Sequence, residues 1–178
     1  MDFSTPKTMG IVNLTLDSFF TESRFQAEKE ILQQVEKMLA EGADIIDLGA
    51  FSSRPNSHFI SEAEEKERLL SPLRSIVKEF PEVVLSVDTY RSAIAKLAVA
   101  EGAAIINDIS GGDLDEQMYE TIFELQVPYI LMHMKGTPKT MQDTPEYDDV
   151  VKEITKGFSG KLNRLNELGV NDVIRTVG

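Results

Sequence analysis

The 178-residue chain carries 30 acidic and 18 basic side chains, for a formal charge of -12, with 42% hydrophobic and 27% charged residues. This is the composition of one globular domain and not of a disordered chain, and its acidity disfavours nucleic-acid backbones and anionic membranes as partners. The absence of cysteine removes disulfides, thiolate metal sites and thiol nucleophiles, no apolar run approaches the about 20 residues of a membrane span, and the first seven residues lack signal-peptide features, so the expected location is the cytoplasm.

In chain order, residues 8–14 read as a strand, and 25–41, with Ile31, Leu32, Val35, Met38 and Leu39 at helical spacing, as a helix. A strand follows at 43–48 and a helix at 61–80, opened by a capping box in which Ser61 accepts a backbone N–H and Glu64 reaches back. The next strand is 83–87, and the next helix, 91–101, ends at Gly102, which suits a left-handed cap. A strand at 104–107, a helix at 115–126, a strand at 128–132 and a helix at 147–168 closed by Gly169 complete five units, and 172–174 opens a sixth strand.

Strand–helix alternation with continuous apolar strands predicts an α/β fold on a parallel sheet covered on both faces. Polar residues recur at the strand ends: Asn13, Asp47, Asp88, Asn107 and His133. An open sheet gathers its site where strand order reverses, whereas a (β/α)8 barrel draws it from many strand tips on one rim. The barrel is therefore expected, as a single domain over residues 1–178. Eight units take about 250 residues, so the expectation is an incomplete TIM barrel of about five and a half β/α units, a truncated domain.

Five segments carry candidate chemistry. In Met9-Gly-Ile-Val-Asn-Leu-Thr-Leu-Asp-Ser-Phe19, Asn13 offers an oxygen to a metal or phosphate, and Thr15, Asp17 and Ser18 form either a substrate loop or a polar turn. In Gly49-Ala-Phe-Ser-Ser-Arg-Pro55, Arg54 is either a surface residue or a planar fork for phosphate or carboxylate. Asp88 in Ser86-Val-Asp-Thr-Tyr90 either caps the following helix or places a carboxylate on the rim, where it reads heterocycle N–H groups. Ile105-Ile-Asn-Asp-Ile-Ser-Gly-Gly112 ends a strand in Asn107 and Asp108 and lacks P-loop spacing. In Leu131-Met-His-Met-Lys-Gly-Thr-Pro138, Met132 suits an apolar slot for a flat ring, and His133 is an acid, a base, a ligand or a structural residue. No cluster has zinc spacing, and the lysine placement disfavours a Schiff-base aldolase.

Taken together, the order and spacing of these five segments resemble dihydropteroate synthase, of the pterin-binding barrel group, up to about Ile174. Other pterin-binding barrels, such as methyltransferase domains, share the rim Asp and Asn but not the Ser-Ser-Arg-Pro loop. The resemblance implies a transferase of folate biosynthesis, inhibited by sulfonamides, that joins a dihydropterin-CH2-pyrophosphate to p-aminobenzoate with Mg2+ as cofactor. By position, Asn13 would bind Mg2+ and, with Arg54, the pyrophosphate. Asp88, Asn107, Ile109 and Met132 would hold the pterin, and Phe19, Ser53 and Pro55 the p-aminobenzoate. Asp17, Arg54 and Asp88 would serve catalysis. The implied partners are these small molecules and, at full length, a second subunit.

Two departures accompany the resemblance. Leu16 stands where the family has Pro, freeing a backbone angle in the first loop. Arg175-Thr-Val-Gly178 replaces the family's Asp-Pro-Gly-Phe-Gly-Phe segment. An inactive remnant of the family is therefore the alternative to a synthase, with the 178 residues alone expected to be unstable and inactive; a pterin-dependent methyltransferase domain is the second alternative.

Overall fold

A computed structural model describes residues 4–14, 24–51, 60–137, 140, 146–171 and 173–177, with backbone alone at 24, 25 and 174–177. The strands are β1 (Met9–Asn13), β2 (Ile45–Gly49), β3 (Val84–Asp88), β4 (Ile105–Asp108), β5 (Tyr129–His133) and β6 (Val173–Val177). The helices between them are α1 (Arg24–Ala40), α2 (Glu62–Glu79), α3 (Ser92–Ala100), α4 (Met118–Leu125) and α5 (Val150–Leu168). They form one parallel six-stranded sheet in the order β1-β2-β3-β4-β5-β6. Every strand lies beside its sequence neighbours, and no reversal of strand order occurs, which is the wall of a β/α barrel and not a doubly wound sheet.

The outer side of this wall is uniformly apolar because it must bury the helices. Val12, Ile46, Leu48, Leu85, Val87, Ile106, Tyr129 and Leu131 form one core with Val35, Leu73, Ile76, Ile94, Met118 and Leu165 from α1 to α5. Side chains alternate across a strand, so the other set of residues faces inward, and here the strands depart from continuous apolar runs. The inner face is apolar at its lower end, where Ile45, Ile105 and Ile130 pack with Met9 and Val84. Above that layer it turns polar, with Asp47, Ser86, Asp88 and Asn107. Burial against helices constrains only one face, which leaves the other available for chemistry.

Local polar groups shift some element ends. Ser61 caps α2 by accepting from the Glu64 N–H at 3.2 Å, but the Glu64 carboxylate pairs with Arg68 instead of completing the box. Asp115 accepts from the Gln117 N–H at 2.9 Å and from the Ser92 N–H at 2.7 Å, so α4 starts only at Met118. Asp149 caps α5 at the Lys152 N–H, which moves that start from 147 to Val150. β6 runs on through Arg175 and Thr176 to Val177 against Tyr129–His133.

Candidate functional site

The strand register places Asn13, Gly49, Asp88 and Asn107 side by side across β1 to β4. Gly49 is the gap in that row: a Cβ there would lie 3.6 Å from both Asn13 Oδ1 and Asp88 Oδ2. One layer lower, Asp47 pairs in register with Ser86. Asn107 Nδ2 donates to Asp47 Oδ2 at 3.1 Å and links the layers. Buried polar atoms are normally hydrogen-bonded. Here Asp47 Oδ1, Ser86 Oγ and Asp88 Oδ1 are buried with no partner among the described residues. Such a concentration of orphaned acceptors and a hydroxyl suits the donor-bearing edge of a polar ligand.

The electrostatics fit an enclosed polar site. Burial raises the Asp88 carboxyl well above the usual carboxylate range, and the charges of Asp47, Asp108 and Glu65 add to the shift. Burial also raises Asp47, against the neighbouring Ser86 hydroxyl and the hydrogen bond from Asn107. Burial therefore favours neutral Asp88, and positive charge beside it would favour the ionised form.

An apolar shelf adjoins this row. Ile109 and Met132 pack with Phe51, Ile60 and Tyr90, and the Phe51 and Tyr90 rings meet edge to face at 5.3 Å. A flat heterocycle presents this combination of needs, with a polar edge to be matched and an apolar face to be covered.

Three supports hold the rim. Glu65, fully buried on α2, accepts from Thr89 Oγ1 at 2.6 Å and pairs with Arg91. Arg91 also donates to the Ile60 carbonyl at 2.7 Å, while Arg68 donates to the Ala50 carbonyl at 3.4 Å. Asp108 accepts from Ser110 N, Ser110 Oγ, Gly112 N and the Tyr129 hydroxyl and so shapes the turn after β4. Lys161 reaches from α5 to the Ser110 and Gly111 carbonyls at 2.9 and 3.0 Å and to Asp113 at 2.7 Å. Gly112 has φ +86, and a Cβ on it would meet the Tyr119 ring at 2.3 Å, so that turn requires glycine.

The structure thus brings together Asn13, Asp88, Asn107, Ile109 and Met132. Asp17, Phe19, Ser53, Arg54 and Pro55 lie outside the described residues. Asp88 does not cap α3: Arg91 occupies the cap position without a side-chain bond, and Asp115 accepts from the Ser92 N–H. His133 Nε2 lies 3.0 Å from the Tyr147 hydroxyl, and its ring meets Phe158 edge to face. Burial, then Lys161, lowers its pKa, and these contacts favour the structural reading among those left open. Sequence reasoning placed Asp47 at a strand end; it is the middle residue of β2. A carboxylate inside an apolar strand was the signal for it, whereas Glu65, Arg91 and Lys161 gave none, being charged residues on or beside helices.

The fit of a divalent cation rests on Asn13. No group of three His, Asp or Glu side chains among the described residues forms a metal cage. Mg2+ does not need one: it keeps several waters and takes one or two protein oxygens together with substrate phosphates. Asn13 Oδ1, at the open end of β1 and beside Asp88 across Gly49, fits that mode.

A profile of the pterin binding enzyme family matches residues 9–175. The mitochondrial folate synthesis bifunctional protein of Pisum sativum is 46% identical over 167 residues, covering 91% of this chain and 32% of that protein. Dihydropteroate synthase of Escherichia coli is 37% identical over 171 residues, 96% of this chain and 60% of the enzyme. Among solved structures, Yersinia pestis dihydropteroate synthase in a sulfonamide drug complex has a TM-score of 0.88 and 35% identity, covering 100% of this chain and 65% of that one. The chain thus spans about a third of the plant protein and about three-fifths of the bacterial enzyme.

Proposed function

This chain belongs to the pterin-binding enzyme family, and from that membership we propose that it acts in dihydropteroate synthesis, with the inner face of β1 to β5 as the pterin site. The reaction joins a dihydropterin-CH2-pyrophosphate to p-aminobenzoate. The CH2–O bond breaks, and pyrophosphate leaves with the electron pair. The amine nitrogen of p-aminobenzoate bonds to the carbon and then loses a proton, giving dihydropteroate.

Each described residue has a part in that scheme. Asp88 and Asn107 hold the polar edge of the pterin, and Ile109 and Met132 cover its faces. Positive charge developing on the ring as the bond breaks draws Asp88 into its ionised form, so its stabilisation grows toward the transition state. Asn13 holds the pyrophosphate end and would ligate Mg2+, which supplies charge neutralisation of the leaving group when bound. Asp17 and Arg54 are assigned to catalysis, Arg54 also to pyrophosphate, and Phe19, Ser53 and Pro55 to p-aminobenzoate, on the strength of their motifs alone.

The observation that carries the reading is the set of orphaned buried atoms, Asp47 Oδ1, Ser86 Oγ and Asp88 Oδ1, beside the Ile109–Met132 shelf. The reading takes the cytoplasm as its compartment, and no helix among the described residues is long and apolar enough to cross a membrane. The test is calorimetric titration with 6-hydroxymethylpterin, followed by turnover of both substrates with Mg2+ and its inhibition by a sulfonamide. Saturable pterin binding weakened about tenfold or more in Asp88→Ala and in Asn107→Ala supports the site, and turnover supports the full activity. A folded chain that binds no pterin overturns the reading; binding without turnover assigns it to the inactive-remnant alternative.

A further inference from the structure

We infer that Asp47 is a positioning residue that fixes the amide of Asn107, so that Asn107 presents its Oδ1 to the ligand as an acceptor. The inference rests on the pterin-site reading and extends it to a residue that does not itself need to touch the ligand. Asn107 Nδ2 donates to Asp47 Oδ2 at 3.1 Å. An ionised carboxylate only accepts hydrogen bonds, so the amide nitrogen turns toward it and the amide oxygen turns away. Without such a partner the two orientations of an Asn amide differ little, and the site would present a donor as readily as an acceptor.

Asp47 is costly where it stands. It is 3% exposed in the middle of β2, and its register row continues to Ile11 on one side and through Ser86 to Ile105 on the other. Burial works against the charge of Asp47. The neighbouring Ser86 hydroxyl and Asn107 both offset this cost, and the hydrogen bond at 3.1 Å comes from Asn107, a residue of the site. The carboxylate therefore serves the amide and not the packing of the sheet.

Two measurements on the full chain test this. The first uses no ligand: the side-chain NH2 of Asn107 should exchange with solvent at least about tenfold more slowly than that of exposed Asn163, and Asp47→Ala, which removes the acceptor, should erase most of the difference. The second is affinity for 6-hydroxymethylpterin. Asp47→Ala should weaken it about tenfold when Asn107 is present, and by no more than about twofold in an Asn107→Ala background. An equal penalty in both backgrounds, or an Asn107 amide exchanging as fast as Asn163 in the unaltered chain, overturns the inference. If the unaltered chain binds no pterin, the proposed function fails, and the exchange measurement alone decides the role of Asp47.

Discussion

The Tyr129 hydroxyl donates to Asp108 Oδ2 at 2.7 Å on the helix-facing side of the sheet, directly behind the inner face that carries Asn107. Adjacent residues on one strand thus have opposite roles. Asn107 faces inward beside Asp88, and Asp108 gathers four donors that fix the turn leading to Ile109. Asp108→Ala leaves those donors without their acceptor and should cost about 3 kcal/mol or more in urea unfolding, whereas Tyr129→Phe, which removes one donor, should cost about 1 kcal/mol. Equal losses in the two variants would refute this division of labour.

Gly49 keeps the space between Asn13 and Asp88 open. The contacts of 3.6 Å that a Cβ would make are ordinary, so Gly49→Ala should fold with stability within about 1 kcal/mol of the parent. Its methyl nonetheless occupies the gap between amide and carboxylate, and pterin affinity should fall about tenfold or more. Unchanged affinity by calorimetry would show that the gap is not part of the site.

Buried Glu65 and the partly buried Arg91 form an ion pair that ties Ile60 to the turn after Asp88. Glu65→Ala strands the Arg91 charge and should destabilise the protein by about 3–5 kcal/mol. Glu65→Gln, which still accepts from Thr89, should cost less. Chemical denaturation of the two variants orders them, and the reverse order would count against the network.

Asp88 holds its proton more tightly in the folded chain than in the unfolded one, because burial and three neighbouring carboxylates raise its pKa. As pH rises above the ordinary carboxylate value of 3.8, the unfolded chain releases that proton first, so this contribution to stability falls. Burial raises Asp47 and Asp108 as well, which acts in the same direction. Asp88→Asn carries no such penalty. It should be more stable than the parent by about 1 kcal/mol at neutral pH, with the difference shrinking toward pH 4, while pterin binding weakens. Thermal unfolding at both pH values measures it, and a less stable Asp88→Asn at pH 7 would contradict it.

The helix-facing rows made the fold legible in the sequence. Residues such as Ile46, Leu48, Leu85 and Val87 must be apolar to bury α1 to α4, and helical spacing in residues 25–41 and the capping box that opens 61–80 marked their partners. Asn13, Asp88, Asn107, Ile109 and Met132 were legible too, since each stands at or beside the end of an apolar run, within a motif a few residues long. The tertiary structure decided who serves them. Asp47 meets Asn107 across 60 positions, Arg91 meets Ile60 across 31, and Lys161 meets Ser110 across 51. Those pairings depend on strand register and on where each crossover helix returns the chain. A charged residue on a helix reads the same in sequence whether it faces solvent or reaches back to a turn, and only the packed barrel wall distinguishes the two.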